Sequence, residues 1–202
     1  MKRNQIIVFL VAVFCFSATI AQTEVKVTSL GDDNSTGTLR WAINLANKDS
    51  DVKVIKFQPG LRGTLVLSSD LPKINSDLII VGPGSEDVVI SGSGQFLMFT
   101  VNQGFSLDIS GFTLTDSADN YNNGTIFAAS GSTITASEIV VTGVSNQTAF
   151  WSKGDHSTIA ISNSVFKNNS ATLFRSYWGS TPSFTSDNEN DYTNKIIITE
   201  SK

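Results

Sequence analysis

Leu107-Asp108-Ile109-Ser110-Gly111-Phe112-Thr113-Leu114-Thr115 aligns with Ile134-Thr135-Ala136-Ser137-Glu138-Ile139-Val140-Val141-Thr142, and again with Ile159-Ala160-Ile161-Ser162-Asn163-Ser164-Val165-Phe166-Lys167, at offsets of 27 and 25 residues. A few residues upstream of each lies a second apolar stretch carrying Phe99, Phe127 and Phe150, and Phe174 continues that series. Two independent registers share one period. A period of about 25 residues is too short for a helical-hairpin repeat and carries no leucine-rich signature, but it fits one coil of a three-sided β-solenoid. In such a coil each strand stacks on its equivalent one turn away, about 4.8 Å along the axis, with alternate side chains pointing into a narrow core. The reading predicts an internal ladder of Leu107, Ile134 and Ile159, and an aromatic one of Phe99, Phe127, Phe150 and Phe174. Ser110, Ser137 and Ser162, with Thr199 next in line, are placed at a corner, where hydroxyls satisfy backbone groups.

Upstream of the repeats the pattern supplies more strands, at Val52 to Phe57, Thr64 to Leu67, Leu78 to Val81, Val88 to Ile90 and Leu97 to Val101. One helix is readable. Leu39, Ala42, Ile43 and Ala46 recur at helical spacing, with Gly37 or Thr38 placed to cap the start. Because a solenoid end exposes unpaired backbone and open core, this helix is expected to lie over the first rung as a cap. The expected organisation is residues 1–21 as a signal peptide, 22–51 as the N-terminal cap and 52–202 as about six rungs. At the far end Ile196-Ile197-Ile198-Thr199-Glu200 reads as a restart of the repeat after a polar insertion around Ser183 to Asn194. No cap follows it in the pattern, so a truncated product, a missing segment or a partner covering the last rung is expected.

Met1-Lys2-Arg3 is basic and Ile6 to Ile20 almost unbroken apolar, ending in Thr19-Ile20-Ala21-Gln22, the order of a cleavable secretory signal. The apolar run falls short of the roughly 20 residues that cross a bilayer. Cys15, the only cysteine, lies inside it, so a mature chain starting near Gln22 has neither disulfides nor thiolate metal ligands. The formal charge is −4 for the whole chain and −6 without Lys2 and Arg3, with no basic cluster, which argues against nucleic acid as a partner. Charged residues make up only 16% and Ser, Thr, Asn, Gly and Asp are abundant, as short strands joined by polar turns require.

The succession Val27-Thr28-Ser29-Leu30-Gly31-Asp32, Gly37-Thr38-Leu39-Arg40-Trp41-Ala42-Ile43, Ile55-Lys56-Phe57-Gln58-Pro59-Gly60-Leu61-Arg62-Gly63-Thr64 and Asp77-Leu78-Ile79-Ile80-Val81-Gly82-Pro83-Gly84 resembles the N-terminal region of bacterial surface-exposed right-handed parallel β-helix proteins, the adhesin-like and polymorphic outer-membrane type. The resemblance spans essentially the whole mature chain. It implies an all-β, right-handed parallel β-helix, a secreted or cell-surface setting, and a role in adhesion, glycan contact or as a surface stalk. Glycans or host-surface polymers are the partners it implies. Gly37-Thr38-Leu39-Arg40 also resembles a stretch near the start of some pectate lyases, read here as a feature of the cap without chemistry.

The same fold houses polysaccharide lyases, which need a basic residue to take the proton beside a uronate carboxylate and calcium to stabilise the carbanion. Lys153, Asp155, His156 and Arg175 fall on consecutive expected rungs and are the candidates, Lys153, Asp155 and Arg175 foremost. The paired arginine motif of the lyases and a dense acidic cluster do not accompany them. A glycosidase needs two suitably spaced carboxylates; Asp108 and Glu138 occupy the second and fifth positions of the repeated stretch and so belong to different places on the coil. Asp116, Asp119, Asn120, Asn122 and Asn123, or Asp187 to Asp191, are oxygen-rich enough to hold calcium, but match no EF-hand or nonapeptide spacing, and turns by themselves favour such residues. No other metal or cofactor is expected. Asn123-Gly124-Thr125 and Asn146-Gln147-Thr148 are sequons of the kind that a Ser/Thr/Asn-rich chain produces by chance. Trp151, Tyr177 and Trp178 follow the phenylalanine positions, so some of them are expected to point outward from adjacent rungs, where flat rings suit stacking on sugars; covering an edge of the coil is the structural reading, and it weighs more.

Overall fold

The computed structural model describes residues 23–117, 125–144, 148–153, 156–170, 172–177 and 181–185, the last two segments as backbone. Strand β1 (Thr23–Val27) and helix α1 (Leu39–Ala46) come first, followed by β2 (Val52–Phe57) and β3 (Gly63–Val66). Three-strand turns follow: β4 (Leu78–Val81), β5 (Val88–Ser91) and β6 (Phe99–Val101); β7 (Ser106–Ser110), β8 (Thr113–Thr115) and β9 (Ile126–Ala128); β10 (Thr133–Ser137), β11 (Val140–Thr142) and β12 (Thr148–Lys153). Then come β13 (Thr158–Ser162), β14 (Val165–Lys167) and β15 (Thr172–Tyr177), and β16 (Thr181–Thr185) begins another turn. Every strand pairs in parallel with its equivalent one turn away. Sheet A orders β1-β2-β4-β7-β10-β13-β16, sheet B β3-β5-β8-β11-β14 and sheet C β6-β9-β12-β15. The result is an all-β parallel solenoid of about five turns, where about six rungs are expected from the period.

Each nine-residue repeat is not one strand but two, joined at a corner. Gly111, Glu138 and Asn163 stand one above another in the left-handed region, at φ of +75°, +54° and +48°. The next residue in each turn, Phe112, Ile139 or Ser164, is buried inside the corner. One left-handed residue thus swings the chain from sheet A to sheet B, at a cost of about 1–2 kcal/mol where it is not glycine. Gly111 also approaches its neighbour closely: a Cβ on Gly82 would lie 2.1 Å from the Gly111 carbonyl oxygen.

The expected ladder of Leu107, Ile134 and Ile159 is present, with Leu78 before it, and Ile55, Ile80, Ile109, Ala136 and Ile161 form a second inward column. The aromatic ladder is corrected by one residue. Phe99 and Phe150 both pair with Ile126, and Phe174 with Phe150, whereas Phe127 stands in register with Thr100 and Trp151. In this register Ile126, not Phe127, occupies the place in the ladder between Phe99 and Phe150. The hydroxyl column of Ser110, Ser137 and Ser162 continues into Thr185, not Thr199, because β16 restarts the repeat inside the stretch expected to be an insertion. Thr199 and Ile196 to Ile198 lie outside the described residues. Backbone at this corner is satisfied by Ser164, whose Oγ accepts from Ile139 N and donates to Ser162 O.

Helix α1 forms where expected, with Thr38 as its N-cap accepting from Trp41 N. Its buried residues Leu39, Ala42, Ile43 and Ala46 join the core over the first turn. Polar latches seat it. Arg40 donates to the carbonyls of Ser69 and Asp70 and makes a two-point pair with Asp32, through Nε at 3.0 Å and Nη2 at 2.8 Å. Asp32 also accepts from Ser68 N and Oγ. Burial by itself would raise the Asp32 carboxyl, but the hydrogen bonds from Arg40 and Ser68 and the guanidinium charge outweigh it, and its pKa lies below the ordinary carboxylate value. From the helix end an asparagine ladder descends one residue per turn: Asn47 Oδ1 accepts from Asn75 N, and Asn75 Oδ1 accepts from the Asn102 amide. Strand β1, not singled out from sequence, pairs with β2 above the first full turn.

Candidate functional site

The outer face of sheet A is a grid set by register. One column runs Val54, Ile79, Asp108, Thr135 and Ala160, and a neighbouring one Ser106, Thr133 and Thr158, with Ser183 and Thr181 at the corresponding positions of β16. Strand alternation turns Leu78, Leu107, Ile134 and Ile159 inward and leaves these residues outside.

An open groove of about 400 Å³ lies on this face, its rim and floor including Lys53, Asp77, Ile79, Asp108, Thr133 and Thr135. Its local causes are legible in the strands. Between β1 and β2 the register shifts, Thr23 pairing with Val52 and Glu24 with Val54, so Lys53 is the extra residue of a β-bulge. Bulges re-aim side chains, and this one places Lys53 on the groove. Asp77 is held by Ser106, whose N and Oγ both donate to Asp77 Oδ1 at 2.9 Å. Asp108 makes no ion pair or hydrogen bond with another described residue. Ile79 is 39% exposed, one of two large apolar side chains so exposed among the described residues. The groove therefore combines an aliphatic floor, two carboxylates, threonine hydroxyls and one ammonium.

The residues singled out from sequence are placed elsewhere. Trp151 does not face solvent: it is 6% exposed, with Lys153 Nζ 5.6 Å from its ring centroid in a cation–π contact. Register sets Arg175 beside Trp151 and Tyr177 beside Lys153, so these four positions fall on one face of sheet C. Asp155 and Trp178 lie outside the described residues. His156 is exposed in a turn at φ +60°. Asp108 lies on the face of β7, whereas Glu138 occupies the left-handed corner one turn on, so the two are separated as their repeat positions require. Of the calcium candidates, Asp116 sits at a left-handed corner and accepts from Ser91 Oγ at 3.3 Å, and Asp119, Asn120, Asn122, Asn123 and Asp187 to Asp191 lie outside the described residues. Among the described residues no three His, Cys, Asp or Glu side chains gather as a metal would need, and no helix is long and apolar enough to cross a membrane.

Sequence reasoning missed the groove because its residues come from four strands and form no local motif. The signal that finds it is the coil period applied to outward positions: Asp77 to Ser106 to Thr133, and Ile79 to Asp108 to Thr135. No known protein family matches the chain, and no curated protein matches it.

Proposed function

We propose that this chain is a non-catalytic β-solenoid of the adhesin-like, surface-exposed type, working outside the cell by contact with glycans or other extended polymers. The observation that carries this reading is the outer face of sheet A: a continuous run of parallel strands on which Ser106, Thr133 and Thr158 repeat in register beside an open groove. A sheet locked turn upon turn presents its side chains without further ordering, which keeps the entropic cost of binding low. An extended polymer matches a surface that is itself a linear repeat.

Lys153, expected to serve a lyase, lies over the Trp151 ring on sheet C and is not among the residues that line the groove. The test is to incubate the purified chain with a panel of immobilised and soluble polysaccharides, scoring retention and chain cleavage in parallel. Retention without cleavage is the expected result; release of unsaturated fragments or of fragments with new reducing ends would replace the reading with an enzymatic one.

A further inference from the structure

We infer that the groove on sheet A is the glycan-binding site, that it takes an uncharged sugar chain, and that the chain runs across the strands along the solenoid axis. The inference rests on the reading of the protein as a glycan-contacting solenoid and assigns that contact to a place and a chemistry. The groove volume of about 400 Å³ falls in the range of about 300–1,000 Å³ typical of ligand sites.

Each lining group matches one part of a sugar. Exposed Ile79 offers an apolar platform for the C–H face of a pyranose ring. Asp108, unengaged by described residues, accepts from sugar hydroxyls, and a charged acceptor makes the stronger kind of hydrogen bond. Asp77, fixed by Ser106 through one oxygen, keeps its other carboxylate oxygen for the same purpose. Thr133 and Thr135 donate or accept as the ligand requires. Lys53 supplies donors at the β1 end of the groove, where the bulge sets it.

Charge selects among polymers. Two carboxylates against one ammonium leave the groove net negative, so polyuronates, sulfated glycans and nucleic acids meet like charge, and an uncharged chain does not. Direction follows from register. Beyond the groove the Ser106–Thr133 column continues as Thr158 and then as the Thr181 position, so a polar position recurs about every 4.8 Å along the axis, while the Asp108–Thr135 column passes through Ala160. Peptide strands, by contrast, are captured by sheet edges, not by a face.

The test is isothermal titration of the purified chain with cellohexaose, mannohexaose, N-acetylchitohexaose and hexagalacturonate, repeated with Asp108→Ala, Thr135→Val and Ile79→Ala. All three positions point outward, and circular dichroism melts establish that each variant is folded; Arg62→Ala, just before β3 and outside the groove lining, serves as the control. The expected result is binding of at least one neutral hexasaccharide in preference to hexagalacturonate. Binding should weaken at least tenfold in Asp108→Ala and severalfold in Thr135→Val, and stay unchanged in Arg62→Ala. Neutral-sugar binding that all three groove variants leave intact would overturn the assignment of the site while leaving the glycan-contact reading in place. Preference for hexagalacturonate would overturn the charge argument and with it the proposal. Binding of none of the four would remove both.

Discussion

The first turn and the later turns solve the same problem by different means. In the described strands between residues 106 and 167 the chain is held by repetition: each strand pairs with its equivalent one turn away, inward residues such as Leu107, Ile134 and Ile159 stack on one another, and the corner between sheets A and B turns on one left-handed residue. From 23 to 75 no equivalent turn lies above, and side chains take over. Both ion pairs among the described residues, Asp32–Arg40 and Arg62–Asp87, lie before residue 90, and the Asp32–Arg40 pair binds backbone that in a later turn would meet another strand. The lesson is that a repeat stabilises its middle through neighbours and its end through unique polar contacts.

Changes at four positions test this contrast. Phe112→Ala strikes the repeating part hardest, since Phe112 is fully buried and packs edge-on against Phe57 at 5.0 Å. It is expected to cost about 3–5 kcal/mol, read as a lowered midpoint in urea unfolding. Asp32→Ala strikes the end: it strands Arg40 and frees Ser68 N, for an expected loss of about 2–4 kcal/mol. A melt of Asp32→Ala as cooperative as wild type but lower would show the cap and turns unfolding together; a separate early transition would show the cap to be an independent unit.

Asp32 also gives a pH signature. Its folded pKa is depressed, so its stabilisation is fully present above the unfolded value of about 3.9 and is lost as pH falls through the folded value. The stability gap between wild type and Asp32→Asn should be constant from neutral pH to about pH 5 and narrow below it, as urea midpoints at pH 7 and pH 3 would reveal. Asn75→Ala removes the middle of the asparagine ladder, which is solvent-facing, and should cost about 1 kcal/mol. The smallest effect has the opposite sign. Glu138→Gly relieves a left-handed glutamate and should stabilise by roughly 0.5–1 kcal/mol, after the larger freedom of the unfolded glycine chain is set against the relief.

The repeat was legible because inward positions must be apolar in every turn, so the period survives in Leu107, Ile134 and Ile159. The aromatic ladder slipped because two adjacent large residues competed for one place in Ile126-Phe127 as in Phe150-Trp151, and likeness chose Phe127 where the register chooses Ile126. The turn at β16 was hidden because Thr181-Pro182-Ser183-Phe184-Thr185 is polar at its outward positions and reads as loop. For Trp151 a stacking ring and an edge cover were both open from sequence, because composition records that a ring is present and not what covers it. Asn47, Asn75 and Asn102 look like ordinary turn residues, and only the stacking of turns joins them into a ladder.

By itself the sequence determined the architecture: hydrophobic spacing sets the strands, one period sets the stacking, and the helical spacing from Leu39 to Ala46 sets the cap. The placement of Lys53, Asp77, Asp108 and Thr135 around one groove was decided by tertiary structure alone. Successive members of this set lie 24 to 31 positions apart in chain order, and outward side chains need satisfy no packing rule, so their types change from turn to turn. Only the register of one turn upon the next, and a single bulge at Lys53, brings them together.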